Sequence, residues 1–412
     1  MPAAGSSPAF KPAAPAVILI AGCLIGMLTF GPRSALGMIQ VPLITDYGWG
    51  RDVFSLGLAI QNLLWGIGQP FAGAIADRFG TARVLSTGIV LYSAGLVLMT
   101  LSSDPLVFHI TAGTLIGLGL SGSAFTIVVA AFGKLLPEQW RSAGFGVATA
   151  AGSLGQFLFA PITGALLESL GWKGVCLTFA ALMLLVLPLS LALVTPPADP
   201  SADEPGSRTG VAQTIADAFR HPSYVLLVLG FFTCGFQLAF ITVHMPAYLK
   251  DLGLATWVGA WTLAAIGLFN IVGSLTAGWA GNRMPKRYIL VAIYLARSLA
   301  IAAFIMLPAS PAASIIFGAA MGLLWLSTIP PTGSLVALMF GTRYMAMLFG
   351  FAFFSHQVGG FLGVWLGGIL YERFGSYDPI WWGAVALGLA SAVINLPIIE
   401  KPAPARVKLA AA

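Results

Sequence analysis

The stretch Gly68-Gln-Pro-Phe-Ala-Gly-Ala-Ile-Ala-Asp-Arg-Phe-Gly80 decides the fold, because the chain contains it twice. A degenerate copy, Gly273-Ser-Leu-Thr-Ala-Gly-Trp-Ala-Gly-Asn-Arg-Met-Pro285, follows 205 residues later. A second pair of segments, 155–171 and 359–375, matches at an offset of 204 residues. Two matches at nearly the same offset indicate that the chain consists of two duplicated halves.

The composition places both halves in a bilayer. Of the 412 residues, 58% are hydrophobic and 8% are charged, whereas about a quarter are charged in soluble domains. A spanning helix needs about 20 mainly apolar residues, because lipid offers the backbone no hydrogen-bond partners. The sequence predicts twelve such spans, at 16–44, 53–75, 83–101, 105–132, 142–166, 174–195, 223–247, 255–280, 287–307, 311–335, 344–370 and 379–398.

These spans predict an all-α membrane protein of two pseudo-symmetric six-helix halves. A polar, proline-rich stretch between the halves is typical of a linker that does not fold alone, and Val211–Arg220 has the pattern of a short amphipathic helix. In chain order, we expect an N-terminal tail (1–15), the first half (16–195), a cytoplasmic linker (196–222), the second half (223–398) and a C-terminal tail (399–412).

The Lys and Arg residues outside the spans predict the orientation. With the N-terminus in the cytoplasm, fourteen of these cations fall on the inner side and four on the outer side. This is the bias of the positive-inside rule. We therefore expect a multi-pass protein of the cell's inner (plasma) membrane with both termini cytoplasmic. The net charge of +6 is then a topology signal, and nucleic-acid binding is not needed to explain it.

Two arginines, Arg33 and Arg297, lie deep in apolar spans, and no Asp or Glu of the sequence lies at comparable depth. A central arginine costs about 2.5–3.5 kcal/mol on insertion scales, so it normally faces a water-filled cavity or a partner. Arg33 shares a helix face with Gly37 and Gln40. We predict that both arginines bind an anionic substrate; the alternative is that they bond to backbone carbonyls or brace neighbouring helices.

Other polar residues within the spans are further candidates for substrate contact, and helix–helix hydrogen bonding is the alternative for each of them. They are Gln40, Gln61, Asn62, Gln237, His244, Trp325, His356 and Gln357. Histidine changes charge near neutral pH, so His244 and His356 are also candidates for carrying a proton. The three cysteines lack metal-ligand spacing, and we predict neither a metal site nor a cofactor.

The segment Gly73-Ala-Ile-Ala-Asp-Arg-Phe-Gly-Thr-Ala-Arg83 resembles the loop signature of the major facilitator superfamily. Twelve spans, a central linker and a degenerate second copy extend this resemblance over the whole chain. The resemblance implies a transporter that works by alternating access. It also implies that Asp77, Arg78 and Arg83 form a cytoplasmic gate, in which Asp77 pairs with basic neighbours in one conformation and releases them in the other.

A narrower resemblance links the chain to monocarboxylate transporters and the oxalate:formate antiporter. It rests on Val41-Pro-Leu-Ile-Thr-Asp-Tyr-Gly-Trp-Gly-Arg51 and on Arg141-Ser-Ala-Gly-Phe-Gly-Val-Ala-Thr-Ala150. The chain departs from that pattern in two places. The acidic-glycine-aromatic opening of animal monocarboxylate transporters is missing, and Ser274 stands where the family has its substrate-binding arginine.

The residues and the resemblance together predict a secondary transporter of small organic anions, most directly a proton-coupled monocarboxylate symporter. The expected partners are a carboxylate anion, a proton and the lipid bilayer, with no nucleic acid, and we expect a monomer. The alternatives are anion:anion exchange or organic-anion efflux, then multidrug/proton antiport and a non-transporting membrane sensor. The chain has no nucleophile-base constellation that would favour an enzyme.

Overall fold

The computed structural model describes residues 13–196, 207–341 and 345–403. Residues 1–12 of the predicted N-terminal tail, residues 197–206 of the predicted linker and residues 404–412 of the predicted C-terminal tail lie outside these ranges. Within them every regular element is helical.

The first half contains six helices that run back and forth across the bundle. They are α1 (Pro15–Tyr47), α2 (Arg51–Phe79), α3 (Thr81–Leu98), α4 (Pro105–Leu135), α5 (138–170) and α6 (172–193). Helices α5 and α6 form one continuous segment, Glu138–Leu193, that is interrupted at Gly171, where φ is +66°. This left-handed conformation suits glycine, which has no Cβ, and it allows the chain to reverse direction.

The second half begins with a short helix and continues with six spanning helices. They are α7 (Ser207–Arg220), then α8 (Pro222–Asp251), α9 (Thr256–Gly281), α10 (Lys286–Met306), α11 (Pro311–Phe340), α12 (Met345–Phe374) and α13 (Asp378–Asn395). Among the described residues, nine helical segments are long and apolar enough to cross a bilayer. One of the nine is the α5–α6 segment, which holds two spans. Helices α2 and α13 are more polar and complete the twelve.

The backbone repeats the sequence duplication. Gly48 and Gly253, which are 205 residues apart, have φ values of +68° and +79° at the ends of α1 and α8. Gly171 and Gly375 have φ values of +66° and +67° after α5 and α12. The same turn therefore follows equivalent helices in both halves.

Both halves also contain a discontinuous helix at equivalent places. Helix α4 is interrupted at Ala124, whose ψ of 154° is extended. Helix α11 is interrupted between Leu324 and Ile329. Because such interruptions free backbone groups from the helical ladder, other residues must satisfy these groups inside a membrane.

Each half has its own apolar core, and the halves meet along two seams. One seam joins α2 to α12 and the other joins α5 to α9. Helices α8 and α12 of the second half cross closely at glycines. A Cβ at Gly359 would overlap the carbonyl oxygen of Phe232, and one at Gly363 would overlap that of Phe236. Small residues at such crossings let helix backbones approach each other.

We predict that Gly359→Ala destabilises the protein, because the added methyl group forces α8 and α12 apart. Overpacking of this kind costs about 1–3 kcal/mol. Gly350→Ala on the same helix is the matched control, because a Cβ there meets nothing within 4 Å. Thermal unfolding in detergent should show a lower midpoint for Gly359→Ala alone. Equal midpoints for both variants would contradict the crossing described above.

Candidate functional site

The Arg33 side chain extends from the middle of α1 to α2. One terminal nitrogen donates to the side-chain oxygen of Asn62, and the guanidinium carbon lies 4.7 Å from the centre of the Trp65 ring. Its Nε is buried without a hydrogen-bond partner. In the described part of the chain, no carboxylate forms an ion pair with Arg33. A half-buried cation thus has one polar contact, one aromatic contact and unused donors.

Helix α4 fixes the tryptophan beneath this guanidinium. The Trp65 indole N–H donates to the side-chain oxygen of Gln69 at 3.0 Å, and the Gln69 amide donates to the hydroxyl of Thr126. Arginine stacked on an aromatic face gains cation–π attraction. The first half therefore holds the plane of the Arg33 guanidinium in place.

The second half closes the other side of this site. The Trp65 ring meets Phe353 of α12 edge to face at 5.5 Å, and the Phe353 ring stacks on His356 at 5.9 Å. The His356 Nδ1 lies 3.1 Å from the side-chain oxygen of Gln357, whose amide nitrogen is buried without a partner. The Gln357 side chain packs against Gly66. We call Arg33, Asn62, Trp65, Phe353, His356 and Gln357 the central site.

Four residues predicted from the sequence thus lie together: Arg33, Asn62, His356 and Gln357. Sequence reasoning missed Phe353 altogether. It also did not include Trp65 among the candidates for the site. The spacing of Trp65 and Gln69, one helical turn apart, was the available signal.

Three predicted glutamines lie outside the central site. The Gln61 amide donates to the carbonyl of Ala112 at 3.0 Å, and the Gln237 amide donates to the carbonyl of Ala384 at 2.9 Å. Both bonds join neighbouring helices of the same half. Gln40 is fully buried, and both polar atoms of its amide lack partners.

Arg297 donates hydrogen bonds to carbonyl groups at the interruption of α11. Its Nε donates to the Leu324 carbonyl at 3.1 Å, and a terminal nitrogen donates to the carbonyls of Leu324 and Trp325. Asn270 of α9 completes this arrangement, because its side-chain oxygen accepts the Leu326 N–H at 2.9 Å. Arg297 is fully buried. Its contacts correspond to the structural alternative, in which the cation bonds to a broken helix. Trp325 lies buried in the same interruption.

His244 lies on α8 near the end of the bundle that carries Arg51. Its Nε2 is 2.9 Å from the Val364 carbonyl of α12, and its Nδ1 is 3.1 Å from the Tyr377 hydroxyl. The imidazole is fully buried. The structure therefore separates the two histidines. His356 lies in the central site, and His244 lies among groups that join the two halves.

That junction is centred on Arg51 of α2. Its two terminal nitrogens donate to the Asp251 carboxylate at 2.6 and 2.7 Å. One of them also donates to the Tyr377 hydroxyl at 2.9 Å, and the Arg51 backbone N–H donates to Glu372 at 2.7 Å. The guanidinium lies 3.7 Å from the centre of the Tyr371 ring. We call Arg51, Asp251, Tyr371, Glu372 and Tyr377 the Arg51 lock.

The predicted gate residues lie at the opposite end of the bundle. Asp77 accepts a hydrogen bond from Lys134 at 2.6 Å, so its partner belongs to the same half. Arg78 lies 5.3 Å from the Phe79 ring, and Arg83 is exposed. In the described ranges, no hydrogen bond, ion pair or cation–π contact joins these three residues to the second half.

Contacts between the halves run from the Arg51 lock to the level of the central site. On the second seam, the Asn270 amide donates to Ser153 of α5 at 2.8 Å, and Phe157 meets Trp261. Among the described residues, no hydrogen bond or ion pair joins the halves at the Asp77 end. The hydrogen bonds and ion pairs that join the halves in the described part of the chain are therefore found between the Arg51 end and the level of the central site.

Comparisons with known proteins agree with this architecture. The family model of the Major Facilitator Superfamily matches residues 22–364 and 260–412, and the chain belongs to that superfamily. It is similar to the MFS-type transporter YcxA of Bacillus subtilis (strain 168), with 27% identity over 385 residues, covering 92% of this chain and 93% of the relative. It is also similar to monocarboxylate transporter 13 of Bos taurus, with 25% identity over 400 residues, covering 92% and 89%.

The fold matches solved transporters as well. The crystal structure of a D-xylose-proton symporter aligns with a TM-score of 0.76 at 15% identity and covers 93% of this chain and 97% of that chain. The inward open conformation of the xylose transporter XylE from E. coli aligns with a TM-score of 0.71 at 14% identity, covering 93% and 96%. The predicted superfamily and fold class are thereby confirmed. The chain is a multi-pass membrane transporter, not an enzyme.

We predict that Arg297→Met lowers the thermal unfolding midpoint but leaves anion affinity unchanged. Methionine keeps an unbranched apolar stem and loses the guanidinium donors, so the carbonyls of Leu324 and Trp325 are left without these bonds, at a cost of about 1–3 kcal/mol for each. Thermal unfolding and anion titration of the purified protein measure the two effects separately. Arg33→Met is the comparison, because it should lose affinity. If Arg297→Met loses affinity and keeps its midpoint, Arg297 is a substrate residue instead.

Proposed function

We propose that this chain transports small organic anions, most directly monocarboxylates, and that Arg33 binds the carboxylate. The observation that carries the proposal is a half-buried guanidinium near the bilayer centre with unused donors and no carboxylate partner among the described residues. Such a charge is expensive in a membrane unless an anion or water faces it. Arginine's planar fork matches a carboxylate in shape and charge.

The composition of the central site supports a small ligand with one charge. Besides Arg33, its polar groups are neutral amides and one histidine, and Trp65 and Phe353 supply apolar walls. A single guanidinium balances a single carboxylate. The similarity to monocarboxylate transporter 13 of Bos taurus agrees with this ligand class. The bonds of Arg297 to the carbonyls of Leu324 and Trp325 favour its structural alternative. Gln40, Gln61, Gln237 and Trp325 remain predicted contacts, and each side chain would have to move to touch the ligand.

The seams between the halves support alternating access. With the predicted orientation, the Arg51 end faces outside, and the Arg51 lock would hold the halves together on the outer side, as expected of an inward-facing conformation. Asp77, Arg78 and Arg83 would then lie at the cytoplasmic end, where they would meet the second half after the halves rock. The central site lies between the halves, so rocking of the halves would expose it to each side of the membrane in turn.

Coupling to protons is the second element of the proposal. The described part of the central site contains no Asp or Glu, so the titratable candidates are His356 within it and His244 next to the Arg51 lock. The same absence favours anion:anion exchange as the alternative, because exchange needs no proton-carrying residue.

We expect Arg33→Gln to weaken anion binding about 10- to 100-fold, since a hydrogen bond to a charged group contributes roughly 1.5–3 kcal/mol. A thermal-shift screen of formate, acetate, lactate, pyruvate and inorganic anions first identifies a ligand, which should raise the unfolding midpoint. Titrating that ligand against both proteins then measures the loss. Arg373→Gln, which removes an exposed arginine, should bind as the wild type does. Unchanged affinity of Arg33→Gln would remove Arg33 from the site.

We expect uptake of the identified anion into proteoliposomes to accelerate when the outside is acidified and to fall to the equilibration rate when a protonophore collapses the gradient. The reason is that a symporter moves the anion together with a proton in one cycle. Preloading the vesicles with the same anion is the control for exchange. An uptake rate that the protonophore does not change, and that requires preloaded anion, would establish exchange instead of symport.

A further inference from the structure

The hydrogen bonds of His244 fix the positions of its protons. A carbonyl oxygen can only accept, so the Nε2 that lies 2.9 Å from the Val364 carbonyl carries a hydrogen. In the neutral imidazole, Nδ1 is then an acceptor. The Tyr377 hydroxyl, 3.1 Å away, must donate to it.

The same hydroxyl connects His244 to the Arg51 lock. Its oxygen accepts from a terminal nitrogen of Arg51 at 2.9 Å. The donors therefore point one way along a series of hydrogen bonds from Arg51 through Tyr377 to His244. This series crosses from the first half to the second, and it requires a free lone pair on the His244 Nδ1.

Charged and titratable groups approach this series of hydrogen bonds from four helices. Arg51 comes from α2, Tyr248 and Asp251 from α8, Tyr371 and Glu372 from α12, and Tyr377 and Asp378 from the region where α13 begins. Both carboxylates of the Arg51 lock bond to Arg51. No carboxylate in the described ranges bonds to the imidazole, whose ring nitrogens contact only the Val364 carbonyl and the Tyr377 hydroxyl.

A second proton on His244 is unfavourable in this arrangement. It would place an N–H on Nδ1 against the hydroxyl hydrogen of Tyr377. If the hydroxyl turned to accept from His244, its oxygen would face two cationic donors, the imidazolium and Arg51. In the first case the bond between His244 and Tyr377 is lost, and in the second the Tyr377 hydroxyl hydrogen loses its acceptor. In both cases an imidazolium without an anion stays buried next to a guanidinium. Opening of the seam relieves this conflict by separating Arg51 from Tyr377 and admitting water.

We propose that His244 is the proton-binding residue of this transporter and that its protonation releases the Arg51 lock. The inference rests on the proposed proton-coupled function and gives it a mechanism. A proton from the outside binds best to the conformation in which the lock is open, and by linkage it shifts the population towards that conformation. Protons would thus open the side from which they come.

The competing site is Asp251, because protonating its carboxylate would also weaken the bond to Arg51. Two variants separate the possibilities and both keep Asp251. His244→Gln removes the titrating group. Tyr377→Phe keeps the aromatic ring and removes the one hydroxyl that joins His244 to Arg51.

The test measures the opening of the seam directly. Spin labels are placed on Ser169 and Leu252, which are exposed on α5 and after α8 at the Arg51 end, in a background without native cysteines. Double electron–electron resonance then gives the distance distribution at about pH 8 and about pH 5.5, on either side of histidine's usual pKa of about 6.5. No substrate is added, so the result does not depend on the identity of the anion.

In the otherwise wild-type protein, the ratio of long to short distances should rise about tenfold at the lower pH, a typical coupling between two sites. His244→Gln and Tyr377→Phe should lose this rise, and His221→Gln, at the far end of the bundle, should keep it. Asp251→Asn should show the long distance at both pH values, which proves that the labels report the lock. A rise that persists in His244→Gln and Tyr377→Phe overturns the inference and assigns the proton to Asp251. A pH-independent wild type also overturns it, whereas failure of anion transport with an intact pH response would refute only the proposed substrate.

Discussion

The cost of an unpaired charge in a membrane organises this protein. Three arginines meet that cost in three ways. Arg297 bonds to the carbonyls that the interruption of α11 leaves free. Arg51 bonds to Asp251 across the two halves. Arg33 has an amide and an indole ring, and its buried Nε has no partner. The first arrangement bonds to a helix break, the second joins the two halves, and the third leaves donors without a protein partner.

The two halves share a repeated backbone, and sequence differences between them make the two seams different. Equivalent glycines make equivalent turns, as at Gly171 and Gly375. The position that holds Arg51 in the first half holds Thr256 in the second, 205 residues later. The seam with Arg51 is bonded shut, whereas the seam with Thr256 borders a cleft of about 170 Å³. At this end, among the described residues, an ion pair between the halves is therefore found on the first seam only.

The sequence predicted the superfamily, the helical fold and the duplication, because hydrophobic span length and a repeated motif are local signals. It also placed Arg33, Asn62, His356 and Gln357 among the candidates. It could not distinguish the roles of Arg33 and Arg297, since both are central arginines and only the packing of neighbouring helices shows which groups each guanidinium contacts. The lock was missed for the same reason. Arg51 looked like an ordinary loop cation, and its partner is 200 residues away.

The central claim is that Arg33 holds a carboxylate while the protein carries it across the membrane. Counterflow in proteoliposomes tests both parts together, because labelled anion enters preloaded vesicles only if the protein binds and exchanges it. We predict that the wild-type protein accumulates a labelled monocarboxylate transiently and that Arg33→Gln, correctly folded by its unfolding midpoint, does not. Full counterflow by Arg33→Gln, or binding without exchange by the wild type, would contradict the account.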